Sequence, residues 1–131
     1  MDRVLGRVAP LCYALLRIVA GFLFACHGSQ KLFGVLGGTV VPIASQRGAA
    51  GIIELVGGTL IALGLFTSYA AFVASGEMAV AYLQAHAPQG FWPVMNRGEL
   101  PALYCFLFLY MAARGTGAFG LDTLLGRRGR R

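Results

Sequence analysis

Four ionisable residues stand inside otherwise apolar stretches of this chain: His27, Lys31, Glu54 and Glu77. An imidazole, an ammonium and two carboxylates can together donate and accept hydrogen bonds and hold protons. His27 and Lys31 are four residues apart, so in a helix they point from one face. They close the apolar run 15–24, which otherwise reads as an ordinary membrane helix. Ionisable groups in such a segment are costly, and they face a bundle interior or a wet cavity. The expected site is a shared polar pocket of His27, Lys31, Glu54 and Glu77, with His86, Trp92, Asn96 and Glu99 near its opening. No catalytic residue is assigned. No metal set is assigned either, because His27, Glu54, Glu77 and His86 lack an HxxxH or ExxH spacing.

Each of these residues also has a plainer reading. His27 and Glu77 are hydrogen-bonded residues that pin helix register, and Lys31 with Glu54 is a structural ion pair. His86 is a loop histidine, and Trp92 an anchor at the membrane interface. Asn96 and Glu99 form a helix cap. Cys26 and Cys105 are inert thiols in apolar surroundings.

The elements that must position these residues follow from hydropathy and turn signals. Residues 1–14 read as an interfacial N-terminus, with Arg3 and Arg7 at helical spacing and Pro10 as a break. The first helix is expected at 15–33, with Arg17 snorkelling to the interface. A glycine-rich loop follows to residue 48, then a helix at 49–65 whose single charge is Glu54. Thr67 and Ser68 make a very short turn, so the next helix, at 69–85, is an antiparallel neighbour. An irregular loop carries His86 and Trp92 to the fourth helix, at 100–113. Small residues mark close packing faces. They are Gly51, Gly58 and Ala62 around Glu54, Ala70, Ala74 and Ala81 around Glu77, and Ala20 with Phe24 below His27. At 1.5 Å per residue, His27 and Glu54 lie about 8–9 Å from the outer helix ends, and Glu77 about 12 Å.

Composition bounds the class. Hydrophobic residues make up 57% of the 131 positions and charged residues 12%, with a mean hydropathy of +0.70. Soluble domains carry about 25% charged residues, so an integral membrane protein is the expectation. The run Leu23-Phe24-Ala25-Cys26 loosely resembles a lipoprotein cleavage site, but its apolar stretch is too long for a signal peptide. Three cysteines without a CxxC pair provide no disulfide framework. Arg3, Arg7, Arg17, Arg114, Arg127, Arg128, Arg130 and Arg131 lie on the side of the termini, against Lys31, Arg47 and Arg97 on the other. The positive-inside rule then puts both termini in the cytoplasm. The fold expected is all-α: a four-transmembrane-helix bundle, up-down-up-down, in one domain of residues 1–131. Its Arg-rich tail, 123–131, meets anionic lipid rather than nucleic acid.

Several blocks, in order, resemble one known family. His27-Gly28-Ser29-Gln30-Lys31-Leu32-Phe33-Gly34 resembles the end of the first helix of the DoxX family, and Arg17 and Gly21 fit the same helix. So do Gly51-Ile52-Ile53-Glu54-Leu55-Val56-Gly57-Gly58, Met78-Ala79-Val80-Ala81-Tyr82, His86-Ala87-Pro88-Gln89-Gly90-Phe91-Trp92-Pro93 and Asn96-Arg97-Gly98-Glu99-Leu100 in the later parts of the chain. The resemblance runs from about residue 11 to 122. It implies a small four-helix protein of a bacterial or archaeal inner membrane, associated with quinone or catechol stress and with membrane oxidoreductases. The function expected is a redox- or quinone-associated small subunit with an outward polar pocket. Quinone is the possible ligand, and other membrane subunits or a second copy are the expected partners. The chain carries no flavin, haem or iron–sulfur signature, so it is not expected to act as an enzyme alone. The alternatives are a structural accessory subunit and a small proton-coupled transporter.

Overall fold

The computed structural model describes residues 1–126; the tail arginines Arg127, Arg128, Arg130 and Arg131 lie outside the described residues. The described residues are all-α, with no strand among them. Helix α1, Asp2–Phe33, runs unbroken through Pro10. This corrects the expected break there. Proline lacks the N–H that would bond residue 6, and its ring crowds that carbonyl. The helix gives up that one bond and continues through the turns on either side. The helix ends at Gly34 in the left-handed conformation, with its N–H on the Gln30 carbonyl.

The second rod is one continuous helix in three parts: α2, Gln46–Ile52; a π-helical turn, Ile53–Gly57; and α3, Gly58–Leu63. The Ser45 side chain caps its start, accepting from the Gly48 N–H at 3.1 Å. Its end turns through Gly64 and Phe66, both at positive φ, into α4, Thr67–Ala81. A second π turn, Tyr82–His86, and a 3-10 turn, Ala87–Gln89, finish that rod. A short helix α5, Pro93–Asn96, precedes α6, Glu99–Arg114, and α7 covers Leu121–Leu124. Among the described residues, α1 alone is long and apolar enough by itself to cross a membrane. The π turns divide the second and third rods, and α6 has only 16 residues.

Neighbouring rods run antiparallel. On α1 and the second rod, Gly21 faces Gly58 and Gly28 faces Gly51, each pair close enough that a Cβ on the α1 glycine would strike the opposite backbone; on Gly21 it would lie 2.6 Å from the Gly58 carbonyl oxygen. Small residues at this seam let the two backbones approach. The expected α1 face held Ala20 and Phe24, which are buried, but the seam itself is the adjacent stripe of glycines. Helix α4 packs on α6, where the Ser75 hydroxyl donates to the Cys105 carbonyl at 2.7 Å. Phe24 of α1 meets Phe108 and Tyr104 of α6, with centroids 4.8 and 5.7 Å away. This aromatic cluster crosses the middle of the bundle.

Arg17 does not snorkel. Its side chain is 1% exposed and donates to the carbonyls of Ile61 at 2.5 Å, Ala62 at 2.8 Å and Phe119. The C-terminal carbonyls of α3 lack helical partners and carry the negative end of the helix dipole, so a guanidinium satisfies both needs. The chain after α6 folds back under the bundle to complete this cluster. The Asp122 N–H bonds the Gly64 carbonyl at 2.9 Å, and the Thr116 hydroxyl lies 2.9 Å from both Thr67 and Asp122.

Candidate functional site

Above the aromatic cluster, at the end of the bundle that carries the two long loops (the outer end, as against the inner end at Arg17), the four rods surround a cavity of about 700 Å³. Phe24 and Tyr104 belong to both, so they form its floor. His27 and Lys31 come from α1, Glu54 from the second rod, Glu77 and His86 from the third. Their positions follow from helix phase. Residues 24, 27 and 31 repeat along one face of α1, and 73, 77, 80 and 84 along one face of the third rod.

Lys31 Nζ bonds Glu54 Oε1 at 2.6 Å. Glu54 is 2% exposed. Its second oxygen, Oε2, and Oε2 of Glu77 are buried with no hydrogen-bond partner among the described residues. Buried acceptors of this kind are costly; both residues line the cavity, while these two oxygens are themselves closed off from it. Glu54 sits in the first π turn, Ile53–Gly57. A π turn adds a residue to the helical turn, shifts the phase of the helix beyond it and recurs at functional sites. The second π turn carries Gln84 and His86, which also line the cavity. His86 Nδ1 is 3.0 Å from the Asn96 carbonyl oxygen. A carbonyl only accepts, so Nδ1 bears the proton and Nε2 is the remaining nitrogen.

Three expected site residues lie off the cavity wall. Trp92 is 64% exposed on the outer loop, its ring edge-on to Phe91. Asn96 is fully buried within that loop. It donates to the Gly90 carbonyl at 2.8 Å and to the Tyr82 hydroxyl at 3.3 Å, and its Oδ1 accepts the Gly98 N–H at 2.8 Å. It therefore fixes the loop shape and does not cap α6, whose N-cap is Gly98. Glu99, in the first turn of α6, is exposed; a negative charge there complements the helix dipole.

Other wall residues were not singled out from the sequence: Gln46, Arg47, Gln84, Arg97 and Tyr104. Gln84 stands two residues before His86 and seven after Glu77, so extending the Glu77 face would have reached it. Arg47 and Arg97 entered only as loop charges. Arg47 is the second residue of α2, which starts three residues before the expected helix, and Arg97 follows α5; nothing local signals that either reaches the cavity. Among the described residues no cluster of three or more His, Cys, Asp or Glu could hold a metal ion, and Cys12, Cys26 and Cys105 are free.

An uncharacterized protein of Haemophilus influenzae is 43% identical over 125 residues, spanning 90% of this chain and 93% of its own. An uncharacterized membrane protein of Mycobacterium tuberculosis is 29% identical, over 96% of this chain and 88% of its own. No solved structure matches the chain. Residues 12–87 match the DoxX family, a span that takes in the Lys31–Glu54 pair, Glu77 and both π turns. By that match, over more than half its length, the chain belongs to the DoxX family of membrane proteins.

Proposed function

We propose that the protein spans the inner membrane four times, with both termini cytoplasmic, as one domain whose outward cavity binds a quinone head group. In this reading it is a small accessory subunit of a quinone-linked redox system. The observation that carries it is the cavity wall where the Lys31–Glu54 pair, at 2.6 Å, stands with His27, Glu77 and Tyr104. Quinone carbonyls accept hydrogen bonds, which His27, Lys31 and Tyr104 can donate. Two-electron reduction of a quinone to its diphenol takes up two protons, and the imidazole and carboxyl groups here can hold protons beside the ring. The diphenol hydroxyls are then donors, and Glu54 and Glu77 are the carboxyl groups on that wall. The electrons would come from a partner subunit that carries a redox cofactor.

Two further observations support the topology. The second and third rods, residues 46–63 and 67–86, are about 27 and 30 Å long at 1.5 Å per residue, close to the hydrocarbon thickness. Arg17 is buried and leaves the charge count, yet Arg3, Arg7, Arg114 and the tail arginines still outweigh Lys31, Arg47 and Arg97. The tail, 123–131, then lies against cytoplasmic head groups.

The test uses purified protein in lipid nanodiscs titrated with a tailless benzoquinone. The wild type should melt higher with the ligand, and His27→Ala should fold but lose that shift. A His27→Ala protein that is stable and fully complements a deletion strain would leave a structural subunit as the better reading. A reporter fused after residue 131 should be active in the cytoplasm; activity only outside would refute the topology.

A further inference from the structure

We propose that the cavity is loaded sideways from the bilayer, through a window between the second rod and α4, so that its ligand is a lipid-dissolved molecule with a polar head and an apolar tail. This rests on the cavity being a binding site, but not on the ligand being a quinone.

The window has a roof and a sill. At the outer end Gln46 Nε2 bonds Gln84 Oε1 at 2.5 Å, tying the two rods together. Below, the rods meet through the π turn and α3, where a Cβ on Gly57 would lie 4.0 Å from the Ala70 carbonyl. Between these crossings Ala49, Ala50 and Ile53 form one edge, and Val73, Gly76 and Val80 the other. Ala49, Val73, Gly76 and Val80 line the cavity and are exposed. Gln46, Arg47, Gln84 and Arg97 share both properties; what sets the first four apart is that they are apolar and flank the gap between the two rods.

The chemistry changes across this opening. All six edge residues are apolar, while the Glu54 and Glu77 carboxyls lie behind them. The gap from residue 49 to 57 is about 12 Å tall at 1.5 Å per residue. At that depth the edges face hydrocarbon, which suits an alkyl chain and gives water nothing to bond. A head group with hydroxyls or amines meets its acceptors inside, and the tail stays in the lipid. Gly76 keeps the edge low: a Cβ built there meets nothing within 4 Å, so a large side chain can fill the window without striking the bundle.

The experiment uses the full chain in liposomes containing a fatty alcohol with a diazirine next to its hydroxyl. After irradiation, labelled residues are mapped by mass spectrometry. Glu54 and Glu77 should be labelled, together with lipid-facing controls such as Phe106. Gly76→Phe, or Ala49→Phe from the opposite edge, should lower labelling of both carboxylates roughly tenfold, the equivalent of about 1.4 kcal/mol in occupancy, and leave Phe106 unchanged. Absence of label on both carboxylates in the wild type, or labelling unmoved by either filled window, overturns the proposal. Competition by a tailless benzoquinone separates the two readings. Label without competition retains the window and removes the quinone; a benzoquinone-induced rise in melting temperature with no label on either carboxylate does the reverse.

Discussion

The two ends of the bundle hold similar polar groups in different surroundings, although each keeps an unmatched buried atom, Arg17 Nε at the inner end and carboxylate oxygens at the outer. At the inner end Arg17 is surrounded by carbonyls from three residues, Thr116 links Thr67 to Asp122, and the Tyr13 hydroxyl bonds the Gly115 carbonyl at 2.6 Å. The Arg114 guanidinium lies over the Tyr13 ring at 4.8 Å. The backbones touch there as well, since a Cβ on Gly64 would lie 2.7 Å from the Gly120 Cα. At the outer end a Lys–Glu pair and a second carboxylate border a cavity and keep unmatched oxygens. The difference lies in the connections. The inner end has a turn of a few residues and a C-terminal segment folded beneath it, which supplies backbone acceptors to the donors nearby. The outer end has two long loops, and the rods separate under them. A buried charge enclosed on all sides is a structural device, while one beside open space is available to a ligand.

The strongest way to break this contrast is to open the closed end. Arg17→Leu leaves the Ala62 and Phe119 carbonyls without the guanidinium and Ile61 with the Gly64 N–H alone. Loss of a buried, multiply bonded charge costs about 3–5 kcal/mol. Thermal melting in detergent should fall sharply, with ligand response lost only in proportion to folded protein. An Arg17→Leu protein that melts like wild type would deny the inner cluster its anchoring role.

The outer pair should behave differently. Lys31→Met strands the Glu54 carboxylate and should cost up to about 3–5 kcal/mol, less because Lys31 is 24% exposed. The double change Lys31→Met with Glu54→Leu should regain much of that loss and still abolish ligand response. Recovery of stability without function is the mark of a site. If the double variant melts no higher than Lys31→Met alone, the pair is not the source of the loss.

A third change sharpens the comparison by leaving both ends alone. Gly28→Ala puts a methyl against the backbone of Gly51 and Leu55, and overpacking of this kind costs about 1–3 kcal/mol. Gly6→Ala, in open surroundings, is the control and should melt at or above the wild type. Equal effects would argue against the glycine seam.

The smallest effect is expected at the Gln46–Gln84 bridge. Its members are exposed, so Gln46→Ala should change stability by about 0.5 kcal/mol or less. Entry of the photoactivatable alcohol should be retained or faster, because the roof of the window is loosened.

The sequence by itself determined the class, the all-α content and most of the polar faces. Ionisable residues in apolar helices must turn inward, and a 3.6-residue period states which small residues share their face. That reasoning put Glu54 beside Gly51 and Gly58, and Glu54 at the same depth as His27. Helix limits were legible where a glycine acts locally, as at Gly34. Pro10 misled, because the local rule counts one lost bond, while a 32-residue helix continues on the strength of the others. Only the tertiary structure decided the role of Arg17, whose partners are main-chain carbonyls at residues 61, 62 and 119, and main-chain acceptors leave no trace in residue type. The same holds for Asn96, buried by a loop closing on itself, for Arg97, carried to the cavity by the turn between α5 and α6, and for Arg47, carried there by the early start of α2. The two π turns were equally silent. They are chosen when packing of neighbouring rods favours an extra residue in a turn, and no short stretch of side chains specifies that choice.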